Sequence, residues 1–129
     1  MEPRQVRSAA DARAIVEERG VNHVKVGAFD IDGIMRGKYI SRDKFLSSLD
    51  GGFGFCDVVL GWDCQDQLYD NVKYTGWHTG YPDAPVRLLP DTCRLLPFED
   101  NGLFFLGEFS PPGEAVCPSG LLRRVLERG

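Results

Sequence analysis

The chain has 129 residues, of which 43% are hydrophobic and 26% are charged, a composition typical of one globular domain. Its formal net charge is −4 and its basic residues form no stripe, which argues against a nucleic-acid partner, because that binding requires clustered cations. No apolar run approaches the roughly 20 residues of a membrane span, and the charged N-terminus does not resemble a secretory signal. We therefore expect a cytoplasmic protein without a membrane partner.

The first third of the chain predicts a helix followed by a hairpin. Ser8 is a typical N-cap and Gly20 a typical helix stop, with an apolar face between them. The pattern then changes to alternation, which predicts a strand before Asp32-Gly33 and a second strand from Met35 to Ile40. Asp-Gly between two alternating runs is a strong hairpin signal.

A second helix and a short strand follow the hairpin. Ser41 is its expected N-cap, and Phe45, Leu46 and Leu49 are predicted to form its buried face before the glycines 51 and 52 end it. The stretch "FCDVVLGW" predicts a third short strand.

The second half of the chain opens with an irregular segment and then returns to strands. "DCQDQLYDNVKYTGWHTGYPDAP" has no periodicity, and such a long loop in a compact domain is usually functional or disordered. "PVRLLP" and "CRLLPF" predict two strands divided by a turn at Pro90-Asp91, and the very apolar "GLFFLGEF" predicts a central strand. "LLRRVLERG" predicts a basic amphipathic helix with little chain left to bury its apolar face, which consists of Leu121, Leu122, Val125 and Leu126.

This order of elements predicts an α+β fold with a mixed sheet. A β-grasp arrangement fits it: four or five strands curled around one helix, with an additional short N-terminal helix.

The cysteines indicate neither zinc nor disulfides. They form no C-x-x-C pair, only two histidines are present, and no secretory signal accompanies them, so we interpret them as structural thiols. They are Cys56, Cys64, Cys93 and Cys117.

Three stretches carry a family resemblance: "FDIDGIMRGKYIS", "YDNVKYTGWHTGYPDAPVRLLPDTCRLLPF" and "CPSGLLRRVL". In order and spacing they resemble the N-terminal β-grasp domain of the glutamine synthetase family, in particular its bacterial glutamine-synthetase-like and gamma-glutamyl-amine ligase branch. The resemblance covers about residues 20 to 128.

The resemblance implies a large ATP-dependent glutamate–ammonia or glutamate–amine ligase. In that family each active site lies between the catalytic domain of one subunit and the β-grasp domain of the next, within a ring. ATP and Mg²⁺ or Mn²⁺ are expected in a catalytic domain absent from this chain, which would hold no cofactor or metal and be inactive alone. The implied organisation is an N-terminal helix at 1–20, the β-grasp domain at 21–112, and the start of the linker and helix to the catalytic domain at 113–129.

The resemblance also places an acidic loop beside the entry of the amine. Asp70 stands at the position of the family's amine-site acid, while Val72 and Lys73 stand near the place of two serines found in glutamine synthetases proper. This difference weakens the case for ammonia as the amine. A carboxylate at this position attracts an ammonium cation and accepts its proton.

Asp63, Asp83 and Trp77 are further candidate substrate-binding residues in this segment. Each has an alternative interpretation. Asp63, like Asp66, is also typical of a solvated turn. Asp83 follows a proline, and an aspartate in that position is also typical of a residue that fixes local geometry. Trp77 is also typical of an aromatic side chain at a subunit contact.

Two further functions remain open from the sequence: a free-standing β-grasp interaction module, and an inactive paralogue of the family. The resemblance favours the ligase domain over both.

Overall fold

A computed structural model describes residues 1–29, 34–56, 83–99, 101–109 and 118–128, and within these it leaves the side chains of 55, 56, 83, 84 and 118–120 undescribed. The elements in chain order are a 3₁₀ turn (Pro3–Gln5), α1 (Ala9–Arg19), β1 (His23–Phe29), β2 (Met35–Ser41), α2 (Arg42–Gly51), β3 (Phe53–Cys56), β4 (Asp83–Leu95), β5 (Leu103–Phe109) and α3 (Pro118–Arg128).

The strands form one five-stranded sheet in the order β2-β1-β5-β4-β3. β5 pairs with β1 in parallel, with Lys25 opposite Phe104, whereas β3 pairs with β4 antiparallel, with Phe53 opposite Val86. The sheet is therefore mixed, and β5 is its middle strand. This confirms the predicted α+β class and the central position of "GLFFLGEF". β1 and β2 are neighbours as the hairpin prediction requires, but its Asp32-Gly33 turn lies outside the described residues.

Helix α1 begins and ends where the sequence predicts. The Ser8 side chain accepts a hydrogen bond from the Asp11 amide at 3.2 Å, which satisfies one of the free N–H groups of the first turn. Gly20 ends the helix with φ 61°, a left-handed conformation that glycine adopts at little cost. The predicted apolar face is buried, and it consists of Ala12, Ile15 and Val16.

Helix α2 buries a face rotated slightly from the predicted one. Phe45 is fully buried, and its ring centroid lies 4.7 Å from that of Phe105 on β5. Ser48, one turn further along the same face, is the second buried residue, whereas Leu46 and Leu49 are only partly buried. The helix accommodates this polar residue because the Ser48 hydroxyl donates to the Lys44 carbonyl at 2.6 Å.

The predicted turn at Pro90-Asp91 is wrong, because β4 runs unbroken over 13 residues from Asp83 to Leu95. Proline lacks the N–H donor of a regular ladder and is accepted in strands at edges or irregular positions. The registered pairing of β3 with β4 extends only as far as Val86, so Pro90 lies beyond the stretch flanked by β3. The sequence alone does not show that β4 extends beyond its pairing with β3.

Thr92, which follows Pro90-Asp91 in β4, makes two hydrogen bonds to backbone groups. Its hydroxyl oxygen accepts a hydrogen bond from the Leu106 amide at 2.9 Å, in the role that a backbone carbonyl has in a regular ladder. The same hydroxyl donates to the Leu89 carbonyl at 2.6 Å. One side chain thus satisfies the Leu89 carbonyl, which directly precedes the Pro90-Asp91 pair, and the Leu106 amide on the neighbouring strand β5.

Replacement of Thr92 by valine tests this role, because valine keeps the shape and removes both hydrogen bonds. We expect Thr92→Val to lower the free energy of unfolding by about 1–2 kcal/mol, since the Leu106 amide loses its acceptor in a partly buried position. Denaturant unfolding followed by circular dichroism measures this loss. Thr92→Ser retains the hydroxyl and should stay close to wild type; equal losses in the two variants would contradict the bridging role.

Candidate functional site

The predicted amine-site segment lies between β3 and β4. Asp63, Asp70 and Trp77 fall within residues 57–82, outside the described residues, so their predicted roles stay predictions. Asp83 is the first residue of β4, and its backbone is described although its side chain is not.

The strands on either side of this segment fix its two ends. Cys56, the last residue of β3, stands directly opposite Asp83 in antiparallel register. Opposed residues of an antiparallel pair have Cα atoms about 4.5–5.5 Å apart, so the segment leaves and re-enters the sheet at the same place. The pair is anchored by Phe53 and Val86, which are 6% and 0% exposed. An acid-rich segment therefore starts and ends on one rung at the margin of the sheet.

A concave surface lies beside the end of α1. This cleft has a volume of about 310 Å³ and lies between β2, the start of β1 and the turn that precedes β5. Its lining residues are Gly20, Val21, Asn22, His23, Tyr39, Glu99, Asn101 and Gly102. Apart from Gly20 as a helix stop, no functional role is predicted from the sequence for these residues. The polar residues are distant in sequence, and no motif unites them.

Asn101 joins the turn before β5 to the end of α1. Its side-chain amide donates to the Arg19 carbonyl at 2.6 Å, and its side-chain oxygen accepts from the Arg19 guanidinium at 3.2 Å. The backbone of Asn101 is left-handed, with φ 58°, a conformation that asparagine tolerates better than most residues. The Asn-Gly dipeptide at 101–102 is the sequence signal that could have identified this turn.

Tyr39 makes two polar contacts at this cleft, one with a carboxylate and one with an ammonium group. Its hydroxyl donates a hydrogen bond to Glu99 Oε1, and the Lys25 ammonium lies 5.5 Å from the centroid of its ring. The hydrogen bond to Glu99 raises the pKa of Tyr39, and partial removal from water and the negative charge of Glu99 raise it further. At neutral pH Tyr39 is therefore a hydrogen-bond donor that ties β2 to the turn.

Among the side chains that the structure describes, neither a reactive thiol nor a metal cluster appears. Cys93 is a free cysteine with 0% exposure, and burial raises its pKa to about 11, although the Arg19 and Arg94 charges act in the opposite direction. A thiol in this state is a poor nucleophile, as the interpretation of Cys93 as structural requires. Within the described ranges no three His, Cys, Asp or Glu side chains are grouped to hold a metal ion. Also within these ranges, no helix is long and apolar enough to span a membrane.

Comparison with known proteins identifies the family. The chain is 47% identical over 108 residues to "Type-1 glutamine synthetase 2" of Dictyostelium discoideum, covering 81% of the chain and 21% of that protein. It is 35% identical over 123 residues to "Glutamate--isopropylamine ligase" of a Pseudomonas species, covering 90% of the chain and 26% of that protein. The chain belongs to the glutamine synthetase family, as its N-terminal domain. No protein-family profile matches the chain.

Solved structures agree on the fold. The chain superimposes on "GmaS/ADP complex-Conformation 1" with a TM-score of 0.65 and 16% identity, over 91% of this chain and 25% of that one. A cryo-electron microscopy structure of Plasmodium falciparum glutamine synthetase gives a TM-score of 0.66 and 16% identity, over 93% and 22%. These neighbours confirm the β-grasp fold of glutamine synthetase N-terminal domains. The chain spans about a quarter or less of the relatives and structures that it matches.

The coupling between Tyr39 and Glu99 is directly measurable. In Glu99→Gln the charged acceptor is lost, so we expect the pKa of Tyr39 to fall toward its ordinary value, with phenolate absorbance appearing at lower pH. Since the folded-state pKa is raised, the stabilisation by this contact is present below the unfolded-state pKa and is lost as pH rises through the folded-state value. Subtracting the titration of Tyr39→Phe isolates this tyrosine. Glu17→Gln removes the same charge elsewhere, and a shift of equal size in that variant would contradict the contact.

Proposed function

We propose that this chain is the N-terminal domain of an ATP-dependent ligase that joins glutamate to ammonia or an amine, and that it presents the rim of the amine site to the catalytic domain of a neighbouring subunit. The observation that carries the proposal is the 47% and 35% identity, over most of the chain, to a glutamine synthetase and a glutamate–isopropylamine ligase. A third relative, "Gamma-glutamylethanolamide synthetase GlnA4" of Streptomyces coelicolor, is 28% identical over 122 residues. All three names describe amide formation on glutamate.

The rest of the proposed enzyme lies outside this chain. The chain corresponds to only 21% and 26% of its relatives' lengths, which leaves most of such an enzyme to other domains. A catalytic domain of the parent protein would hold ATP and Mg²⁺ or Mn²⁺. ATP, when bound there, supplies the phosphoryl group that activates the γ-carboxylate of glutamate. The parent protein would form a ring of identical subunits, in which this domain of one subunit borders the catalytic domain of the next.

The part of this chain in the reaction is to collect and deprotonate the amine. An alkylamine or ammonia is mostly protonated at neutral pH and must lose a proton before it attacks. The carboxylate of Asp70 attracts the cation and accepts that proton, while Asp63 and Asp83 raise the local concentration of cations. Trp77 would cover the site against water or pack against the neighbouring subunit.

The geometry of β3 and β4 supports this role. Cys56 and Asp83 are opposed in the sheet, so the two ends of the acidic segment are held at one place on the β3–β4 pair. A rigid scaffold that carries a long connection is the usual arrangement for a binding loop. The pairing of the two strands that bound the segment therefore supports a binding role for it.

Substitution of Asp70 tests the amine site in the parent protein. We expect Asp70→Asn to lower amine-dependent turnover by about 10²-fold or more, the usual contribution of a positioned acid–base group, with ATP affinity nearly unchanged. Turnover should be measured with ammonia, isopropylamine and ethanolamine, which correspond to the three relatives' names. Asp66→Asn changes the same charge in the same segment and should retain most activity. Unchanged kinetics of Asp70→Asn with all three amines would remove Asp70 from the mechanism.

Nucleotide binding provides an independent test of the division of labour between the domains. We expect the 129-residue chain to give no heat of binding when titrated calorimetrically with ATP and Mg²⁺, because the proposal assigns the nucleotide site to the catalytic domain. The parent protein under the same conditions is the positive control. A clear binding signal from the 129-residue chain would mean that this domain itself binds the nucleotide, and it would contradict the assignment of the nucleotide site to the catalytic domain.

A further inference from the structure

A cleft lies where the N-terminal 3₁₀ turn meets the end of β4. Its volume is about 650 Å³, within the range of about 300–1,000 Å³ that small-molecule sites occupy. We call it the arginine cleft, because two arginines line it. The lining residues are Glu2, Pro3, Arg4, Arg94 and Leu95. They come from two distant parts of the sequence, and the proposed ligase reaction uses none of them.

Neither arginine of this cleft is neutralised by a carboxylate of the described residues. Arg13 lies 3.9 Å from Asp50, but within the same described ranges no acidic side chain approaches the guanidinium of Arg4 or Arg94 to 4 Å. With Glu2, the lining carries two positive charges and one negative charge. The arginine cleft is therefore net positive on a chain whose formal net charge is −4.

The guanidinium of Arg94 is held by the backbone of its own strand. Its Nη1 donates to the Cys93 carbonyl at 2.7 Å and to the Asp91 carbonyl at 3.5 Å. Both contacts use Nη1, and among the described residues Nε and Nη2 have no recorded acceptor. An arginine engages a carboxylate through two parallel N–H groups of this kind. Arg94 is thus oriented in advance while one edge of its guanidinium stays available.

The turn that carries Arg4 is also held in place. Pro3 is buried and Val6 is 0% exposed, so the turn is anchored on both sides of Arg4. The Val6 amide donates to the Pro3 carbonyl at 3.2 Å, and the Arg7 guanidinium donates to the Arg4 carbonyl at 2.7 Å. A binding site that is ordered before its ligand arrives loses less entropy on binding.

We propose that the arginine cleft binds a small monocarboxylate with a short apolar stem. The guanidiniums of Arg4 and Arg94 hold the carboxylate, and Leu95, which is 50% exposed, contacts the stem. A single negative charge matches the net charge of the lining, whereas the larger charge of phosphate would be repelled more strongly by Glu2. The inference does not rest on the proposed ligase function.

Arginine modification by phenylglyoxal, followed by peptide mass spectrometry, tests the site in the parent protein, or in the 129-residue chain if nothing follows it. Arg4 and Arg94 are exposed, so the reagent reaches both. Butyrate at about ten times its half-protecting concentration should slow modification of both by about tenfold. Arg13 in the same sample is the internal control and should react at an unchanged rate.

Variants identify the contacts. With Arg94 as the reporter, Arg4→Gln should raise the half-protecting concentration of butyrate by about tenfold, because a charge-assisted contact is lost. Glu2→Gln should lower it by about twofold, because a repelling charge is removed. Arg13→Gln removes an arginine elsewhere and should leave it unchanged.

Ligands of different chemistry identify the class that binds. Butyramide has the stem without the charge and should not protect, and acetate has the charge without the stem and should protect less than butyrate. Equal protection of Arg13, or protection by butyramide equal to that by butyrate, would overturn the site. So would an Arg4→Gln variant that binds butyrate as tightly as wild type. Protection by inorganic phosphate at lower concentration than butyrate would overturn the assignment to a monocarboxylate, as would equal protection by acetate.

Discussion

The parallel pairing of β1 with β5 is the constraint on which the rest of the fold depends. Parallel strands cannot be joined by a tight turn, so all the chain between them must cross over before β5 enters the middle of the sheet. That crossover contains α2, which buries Phe45 against Phe105 on β5. It also contains β3 and the long connection to β4. The acidic connection is thus part of the chain that must be placed before β5, the central strand, can form.

The elements that the sequence predicts well are those whose signals are local. Ser8 and Gly20 bound α1 because capping and left-handed termination depend on single residues, and the apolar run of β5 indicates a central strand through burial alone. The turn predicted at Pro90-Asp91 was wrong because the local preference of these residues for a turn is overcome by a contact distant in sequence, the hydrogen bond between Thr92 and Leu106. The sequence did not predict that Ser48 is buried in α2 more fully than Leu46 and Leu49. Its burial is tolerated because its hydroxyl donates a hydrogen bond within its own helix.

The candidate sites divide in the same way. A resemblance carried by motifs was sufficient to identify the family and to single out Asp70, although its role stays a prediction. The cleft of Tyr39, Glu99 and Asn101 had no comparable signal, because its residues come from three places in the chain and meet only after folding. The arginine cleft was hidden for the same reason. Periodicity identified the apolar face of α3, which the structure leaves exposed.

The rung formed by Cys56 and Asp83 has a consequence for how such enzymes diversify. When both ends of a connection are held together by strand pairing, insertions and replacements within it leave the sheet undisturbed, and the entropy of closure grows only with the logarithm of its length. Under the proposed function, new amine preferences then arise by exchanging the interior of one connection while the sheet stays unchanged. Relatives named for isopropylamine and for ethanolamide, which share this domain, are the variety that such modular evolution would produce.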